Sequence, residues 1–83
     1  MGKVYLTFNT QKLYKNIRDV KVKLRIKRAL FKLSQNPYAG KKLKGDLAGQ
    51  YSLRIWPFRI IYYLKSNKNI IVTDIGHRKE VYK

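Results

Sequence analysis

Three arginines, a histidine and a tyrosine in the second half of the chain have side chains suited to phosphodiester chemistry. Arg54 and Arg59 lie among apolar and aromatic residues, and His77, Arg78 and Tyr82 cluster near the C-terminus. A guanidinium stays charged and binds phosphate oxygens in a bidentate manner. Histidine and tyrosine can transfer protons. Together these residue types predict a site for an RNA phosphodiester.

RNA can be cleaved by such groups without a metal ion. The 2′-hydroxyl attacks the adjacent phosphorus, and the transition state accumulates negative charge that arginines would stabilise. Tyr82 or His77 would then protonate the departing 5′-oxygen. The residues also allow simpler interpretations, in which Arg59 pairs with Asp74, Tyr82 completes the core and His77 belongs to a loop. Binding of RNA or DNA without cleavage stays open at this point.

Other chemistries lack the residues that they need. The only carboxylate side chains are those of Asp19, Asp46, Asp74 and Glu80, the chain has no cysteine, and His77 is its only histidine. A two-metal nuclease needs several carboxylates, and zinc sites need cysteine or histidine clusters. Neither a phosphate-binding glycine loop nor a nucleophile elbow is present. We therefore expect no metal ion and no cofactor.

The net charge of the chain is its strongest compositional signal. Twenty lysines and arginines against four acidic residues give a formal charge of +16 over 83 residues. This excess favours nucleic acid as the partner over an acidic protein or an anionic membrane. No apolar run is long enough to span a bilayer, and no signal peptide is recognisable. We expect one cytoplasmic domain, residues 1–83.

The N-terminal half should supply a strand and two helices. Lys3–Phe8 alternates in the manner of a strand, Asn9 or Thr10 is expected to cap a short helix, and Asp19 a second one. The segment after Asp19 fits both a strand and an amphipathic helix. The helical pattern extends farther, and we favour it, with these apolar positions facing the core: Val22, Ile26, Ala29, Leu30 and Leu33.

The C-terminal half should form a loop followed by an antiparallel meander. Residues 36–50 are rich in glycine and carry Lys41, Lys42 and Lys44, a cationic patch suited to RNA. Three strand-like segments follow, namely Tyr51–Trp56, Arg59–Leu64 and Ile70–Ile75. Alternation places Arg54 on the face opposite Leu53 and its apolar neighbours. The predicted fold class is α+β.

From Asn36 onward the sequence resembles the RelE/StbE-type toxins of bacterial and archaeal toxin–antitoxin systems. The resemblance lies in "KKLKGDLAG", in the hairpin "YSLRIWPFRIIYY" and in the terminal "GHRKEVY". The N-terminal strand and helices also stand where that family has them. The resemblance implies a RelE-like, microbial RNase-like fold. It also implies an endoribonuclease that cuts mRNA in the ribosomal A site, without metal, by 2′-OH attack.

The resemblance also implies roles for individual residues. Arg59 matches the arginine that holds the scissile phosphate, Arg78 matches the one that stabilises the transition state, and Tyr82 matches a terminal tyrosine that orients the substrate. Arg54 matches one of two basic residues credited with proton abstraction and charge stabilisation. Ser52 occupies the other position, and this departure leaves the general base unassigned.

Two further residues near these positions are weaker candidates. His77 could titrate near neutral pH and take part in proton transfer. The glycine that usually precedes the hairpin arginine is replaced here, giving Trp56-Pro57-Phe58, and Trp56 offers either a stacking surface for a base or a rigid turn.

The family resemblance implies partners as well. An acidic, RelB-like antitoxin would wrap the toxin, and the substrates would be mRNA and the ribosome. We expect the loop Lys41–Lys44 and the lysines of the second helix to contact 16S-type rRNA. The alternative is a non-cleaving RelE/ParE-fold toxin that binds a protein target such as DNA gyrase, as the ParE branch does.

Overall fold

The fold was obtained as a computed structural model, which describes residues 2–65 and 69–77. It contains two α-helices and five strands, which confirms the predicted α+β class and adds one strand to the four that were predicted. In chain order the elements are β1 (Val4–Leu6), α1 (Phe8–Lys15), α2 (Val20–Gln35), β2 (Lys41–Lys42), a 3-10 turn (Gly45–Leu47), β3 (Gln50–Ile55), β4 (Phe58–Lys65) and β5 (Asn69–His77). None of the helices in the described ranges is long and apolar enough to cross a bilayer.

The strands form one mixed sheet in the order β1-β5-β4-β3-β2. β3, β4 and β5 make the predicted antiparallel meander, and β1 pairs in parallel with β5. The segment predicted as a plain loop contains β2, which pairs with β3 through Lys41 and Lys42. A strand of two residues leaves no alternation in the sequence, so only the pairing with β3 reveals it.

The first helix starts earlier than predicted. Thr7 is its N-cap, and the Thr7 hydroxyl accepts a hydrogen bond from the Thr10 backbone N–H at 3.2 Å. Neither Asn9 nor Thr10 caps the helix, because both already lie within it. Thr10 is instead fully buried, with its hydroxyl 2.7 Å from that of Thr7. β1 correspondingly ends at Leu6 and does not reach Phe8.

The second helix confirms the helical interpretation of the ambiguous segment. Asp19 caps it as predicted, since its carboxylate accepts hydrogen bonds from the backbone N–H groups of Lys21 and Val22. The predicted apolar stripe faces the sheet. Its members Val22, Ile26, Ala29 and Leu33 are buried, and Leu30 packs beside them. Together with the inner side chains of the sheet they form the core, which includes Tyr51, Ile60, Tyr62, Ile70, Val72 and Ile75.

A β-bulge in β5 changes which residues face the helices. Tyr62 of β4 pairs with Val72, but the preceding Ile61 pairs with Asp74, so Thr73 is an extra residue. Before the bulge the even-numbered Val72 is buried, and after it the odd-numbered Ile75 is buried. The bulge therefore turns Gly76 toward the outer face of the sheet, which we define as the face opposite the helices.

Candidate functional site

Two arginines lie directly opposite each other on neighbouring strands. Arg54 of β3 pairs with Arg59 of β4, and Arg59 is in turn opposite Gly76 of β5. Opposed residues of an antiparallel pair have Cβ atoms about 4.5–5.5 Å apart, and like charges in this arrangement are destabilising. An anion bound between the two guanidiniums would remove that repulsion. The pair is thus a natural position for a phosphate group.

A tight turn fixes this pair at the end of the hairpin. Ile55 pairs with Phe58, so Trp56 and Pro57 alone connect the strands, and the peptide bond between them is cis. Trp56 is half exposed. The aromatic ring therefore lies at the tip of the same hairpin that carries the arginines, which is the place that base stacking would require.

The loop lysines meet the arginines in one pocket. A depression of about 420 Å³ is lined by the following residues: Lys41, Lys42, Leu43, Lys44, Arg54 and Arg59. Lys41 reaches this place because β2 sets it opposite Ser52, two residues before Arg54. The sequence alone does not indicate that the lysines and the arginines share one pocket. We call the five cationic side chains of this depression the cationic pocket.

Tyr62 of β4 anchors the loop that precedes Lys41 to the sheet. Its hydroxyl donates a hydrogen bond to the Pro37 carbonyl at 2.8 Å and accepts one from the Gly40 N–H at 2.9 Å. A Cβ atom on Gly40 would lie 2.6 Å from that hydroxyl and 3.0 Å from the Ser52 carbonyl oxygen, so only glycine fits there. The position of Lys41 therefore depends on a side chain in the core.

Tyr62 was not predicted as a functional residue. Its ring is fully buried and stacks on Tyr51, with ring centroids 5.2 Å apart. A buried tyrosine usually has a hydrogen-bond partner for its hydroxyl, and this rule is the signal that could have drawn attention to it. Burial raises the pKa of the Tyr62 hydroxyl. The hydrogen bond from Gly40 lowers this pKa, but its effect is smaller.

Ser52 lies where the resemblance led us to expect a basic residue. Its side chain is 5% exposed, and its hydroxyl has no hydrogen-bond partner among the residues that the structure describes. It shares a strand face with Arg54. The hydroxyl can donate or accept a hydrogen bond, but it cannot supply the positive charge of the residue that it replaces.

The structure places His77 on the helix side of the sheet. Its ring packs edge-on against Phe58, with centroids 6.1 Å apart. Both residues line a second cavity, of about 310 Å³, whose wall is completed by Leu13, Asn16, Ile17, Arg18, Asp19, Ile75 and Gly76. The sequence prediction grouped His77 with Arg54 and Arg59. The bulge in β5 separates them, because it reverses the alternation in front of His77.

Two predicted site residues, Arg78 and Tyr82, lie outside the described residues. Within residues 2–65 and 69–77, no group of three or more histidine or carboxylate side chains could hold a metal ion.

The sequence matches one established protein family over most of its length. The model of this family, described as ParE toxin of type II toxin–antitoxin system, parDE, matches residues 9–82. A comparison with curated protein sequences gave no significant match.

The fold is shared with toxin–antitoxin proteins of known structure. A chain of the RelBE2 toxin–antitoxin complex of Mycobacterium tuberculosis is similar with a TM-score of 0.82 and 22% identity, over 93% of this chain and 98% of that one. For the YoeB–YefM complex of Staphylococcus aureus the TM-score is 0.78 at 21% identity, over 94% and 98% of the chains. For the intact RelBE complex of E. coli it is 0.76 at 16% identity, over 93% and 96%. At these identities the likeness establishes the fold.

Proposed function

The chain belongs to the family of ParE toxins of type II toxin–antitoxin systems, and we propose that it acts as a ribosome-dependent endoribonuclease. In this proposal it cuts mRNA in the ribosomal A site, needs no metal ion and thereby inhibits translation. The cationic pocket is the substrate site.

The observation that supports this proposal best is the opposed pair Arg54 and Arg59. Their side chains share a pocket with Lys41, Lys42 and Lys44, which gives five cationic groups around a space of about 420 Å³. A phosphodiester with its neighbouring phosphates supplies the negative charge that such a group requires, and guanidiniums bind phosphate oxygens in pairs.

We propose the following reaction at these positions. The 2′-hydroxyl of the mRNA loses its proton as its oxygen attacks the adjacent phosphorus, the bond to the 5′-oxygen breaks, and the departing 5′-oxygen takes up a proton. The products are a 2′,3′-cyclic phosphate and a 5′-hydroxyl. Arg59 binds the phosphate oxygens and Arg54 stabilises the charge that develops in the transition state. Arg78 and Tyr82 retain the roles that the family resemblance gives them, namely charge stabilisation and orientation of the substrate.

Charge stabilisation is the main catalytic contribution in this proposal. Arginine is a poor proton acceptor, and Ser52 carries no charge to replace the basic residue that the family has there. We assign His77 no role in proton transfer, because its ring packs against Phe58 on the helix side of the sheet. The proposal therefore leaves the general base unassigned.

The proposal includes the partners and the compartment expected of such a toxin. Lys41, Lys42 and Lys44 bind phosphates of mRNA or of 16S-type rRNA, and Trp56 stacks on a base. An acidic, RelB-like antitoxin neutralises the protein in the cytoplasm. The family match and the charge of +16 support these assignments.

A second candidate function is a toxin that binds DNA gyrase and cleaves no RNA. Two observations favour it: the family model that matches is that of ParE toxins, and Ser52 replaces a basic residue of the RNA-cleaving relatives. In that case the cationic pocket would contact an acidic surface of the target protein.

One pair of assays separates the two functions. Ribosomes programmed with a defined mRNA are incubated with the toxin, and the ends of any fragments are analysed. The ribonuclease proposal predicts cleavage in the A-site codon with 2′,3′-cyclic phosphate and 5′-hydroxyl ends, and a single 2′-deoxy substitution there prevents it. Intact mRNA, together with inhibition of supercoiling by purified DNA gyrase, would instead establish the second candidate.

A further inference from the structure

The outer face of the sheet carries a line of aromatic and apolar side chains that crosses three strands. Tyr5 of β1 pairs with Ile71 of β5, and Ile71 pairs with Tyr63 of β4. Residues that pair directly point to the same face of a sheet. Their chain neighbours Tyr62 and Val72 are fully buried in the core on the helix side, so the line itself lies on the outer face. We call Tyr5, Ile71 and Tyr63 the tyrosine row.

The two tyrosines of this row are accessible to solvent. Tyr5 is 48% exposed and Tyr63 is 37% exposed, with Ile71 half-buried between them. Two strand spacings separate the tyrosines, which places their backbones about 10 Å apart across the sheet. Single exposed apolar residues need no explanation, but two aromatic rings with an aliphatic side chain between them form a continuous surface for a flat partner.

Cations lie at both ends of the outer face, with the tyrosine row between them. The cationic pocket forms one end, and its member Arg59 lies four residues before Tyr63 on β4, a distance of about 13 Å. At the other end Lys65 lies two residues beyond Tyr63, and Lys3 lies two residues before Tyr5. Alternation places both exposed lysines on the outer face.

The charge of this face defines the chemistry of a ligand. Within the described strands, Asp74 is the only carboxylate that the pairing places on the outer face, where it is opposite Ile61. The cationic pocket at one end and Lys3 and Lys65 at the other outnumber it. A ligand must therefore offer negative charge at both ends and flat rings in between. Single-stranded RNA has this composition, because its phosphates alternate with bases that each present a π-face.

We propose that the tyrosine row is a stacking platform for unpaired RNA bases, which extends the RNA site from the cationic pocket along β4 to Lys65. Tyr63 and Tyr5 stack on bases, and Lys65 and Lys3 bind the phosphates beyond them. This inference rests on the proposed function, since it lengthens the RNA site that begins at the cationic pocket. No bond is broken at the row, which only binds and orients the strand.

An acidic protein surface fits this face less well. It would have to place carboxylates at two ends that lie about 20 Å apart, the distance from Arg59 to Lys65. RNA meets this requirement through its covalent repeat. A stable protein interface also buries about 800 Å² on each partner, which is well above the area that three partly exposed side chains provide.

The test measures binding of the full chain to a fluorescent, unstructured eight-nucleotide RNA whose 2′-O-methyl groups prevent cleavage. Tyr5→Leu/Tyr63→Leu removes both rings but keeps the net charge, and Tyr5→Phe/Tyr63→Phe keeps the rings without the hydroxyls. Phe8→Leu/Phe31→Leu is the matched control, because it removes two exposed aromatic rings from the helices. Fluorescence anisotropy gives the affinities, and circular dichroism verifies the fold of each variant.

The proposal predicts that the leucine variant of the row binds this RNA at least about tenfold more weakly than the wild type, since stacking on one aromatic ring typically contributes a factor of about five or more. The phenylalanine variant and the helix control should bind like the wild type. The slope of log affinity against log salt concentration should not change, because the cations remain. Equal affinities of the leucine variant and the wild type, or equal losses in the leucine and phenylalanine variants, would overturn the proposal.

A second RNA tests whether the rings contact bases. It has the same length and number of phosphates but carries abasic riboses. The proposal predicts that removing the bases weakens binding to the wild type at least about fivefold more than binding to the leucine variant, which has already lost the stacking surface. An equal effect of base removal on the two proteins would contradict stacking on the tyrosine row.

Arg59→Ala separates a failure of this inference from a failure of the proposed function. If Arg59→Ala weakens RNA binding and the leucine variant does not, the cationic pocket binds RNA and the stacking platform is wrong. If neither variant weakens RNA binding, or if the wild type binds no RNA, the RNA site itself is wrong and the platform with it. Binding of polyglutamate that is tighter than binding of RNA and depends on Tyr5 and Tyr63 would overturn the proposal in favour of an acidic protein partner.

Discussion

At the scale of single residues, the hydroxyl of Tyr62 connects the core with the candidate site. It holds both Pro37 and Gly40, the residues that precede Lys41 of the cationic pocket. Removing it leaves a carbonyl and an N–H group without their partner, while the stacked ring remains.

We predict that Tyr62→Phe lowers the free energy of unfolding by about 1–3 kcal/mol, the cost typical of a buried polar group left without its partner. Urea denaturation measures this value. Tyr63→Phe is the matched control, since Tyr63 is partly exposed and lies one position along the same strand. Similar losses in the two variants would show that the loop is not held by the Tyr62 hydroxyl.

Because this hydroxyl is buried, we predict that the folded protein loses stability at alkaline pH. Burial raises the pKa of Tyr62 above its ordinary value of 10.0. The folded state therefore keeps the proton at pH values where the unfolded chain loses it. The contribution of the protonated hydroxyl to the free energy of unfolding is fully present below about pH 10. It is lost as the pH rises toward the pKa of Tyr62 in the folded state.

Unfolding of the wild type and of Tyr62→Phe should be compared between pH 8 and pH 11. The wild type should lose more stability over this range than the variant does. Parallel pH profiles for the two proteins would contradict the assignment.

Gly40 gives a second prediction at this scale. A methyl group there would lie 2.6 Å from the Tyr62 hydroxyl and 3.0 Å from a backbone oxygen, so something must shift. Gly40→Ala should therefore destabilise the fold and weaken RNA binding by displacing Lys41. Gly45→Ala is a useful comparison, because Gly45 has a positive φ of 68° but open space around it. Gly45→Ala should lower the stability of the fold without changing the affinity for RNA. Equal RNA affinities of Gly40→Ala and Gly45→Ala would contradict the role of the Tyr62–Gly40 contact in positioning Lys41.

At the scale of elements, the start of α2 depends on one acidic side chain. Asp19 accepts hydrogen bonds from two backbone N–H groups at the helix N-terminus. Asp19→Ala should cost about 0.5–2 kcal/mol of stability, the range for loss of such a cap. Asp46→Ala removes the same charge from the 3-10 turn and controls for the net charge of the protein. Thermal unfolding of both variants checks the difference, and equal shifts would mean that charge rather than capping is responsible.

The elements also show what a sequence pattern can and cannot reveal. The stripe from Val22 to Leu33 predicted the inner face of α2 because the helical pattern extends farther along the chain than the strand-like alternation that competes with it. β2 was missed because two residues carry no periodicity. His77 was grouped with the arginines by residue type, because the predicted strand ended at Ile75; β5 in fact continues to His77, and its bulge at Thr73 sets the side to which His77 points.

At the scale of the whole molecule, the net charge of +16 predicts RNA binding that depends strongly on salt. Each phosphate contact to single-stranded RNA contributes about 0.7 to the slope of log affinity against log salt concentration. Replacing Lys41, Lys42 and Lys44 with alanine should reduce the slope by about 2.

The control replaces three exposed lysines of α2, namely Lys21, Lys27 and Lys32, and so removes the same total charge. Fluorescence anisotropy with a single-stranded oligonucleotide at several KCl concentrations gives both slopes. Equal slopes for the two triple variants would show that RNA binds through diffuse charge and not through the cationic pocket.

The residue types and their order were sufficient to predict the fold class, the family and the arginine pair. The sequence could not show that the loop lysines join Arg54 and Arg59, because that contact depends on the pairing of β2 with β3 and on the anchor formed by Tyr62. Long-range contacts of this kind arise from packing, which a single sequence does not record.

The most direct test of the central claim is the single-turnover rate of A-site mRNA cleavage by Arg59→Ala. Arg18→Ala is the control, since Arg18 is an exposed arginine beside the helix-side cavity and its loss changes the net charge equally. Removing one group that stabilises transition-state charge typically costs about 10²–10³ in rate. We predict a loss of this size for Arg59→Ala and a nearly unchanged rate for Arg18→Ala. Equal rates for the two variants, or an active Arg59→Ala protein, would contradict the assignment of the cationic pocket as the site of cleavage.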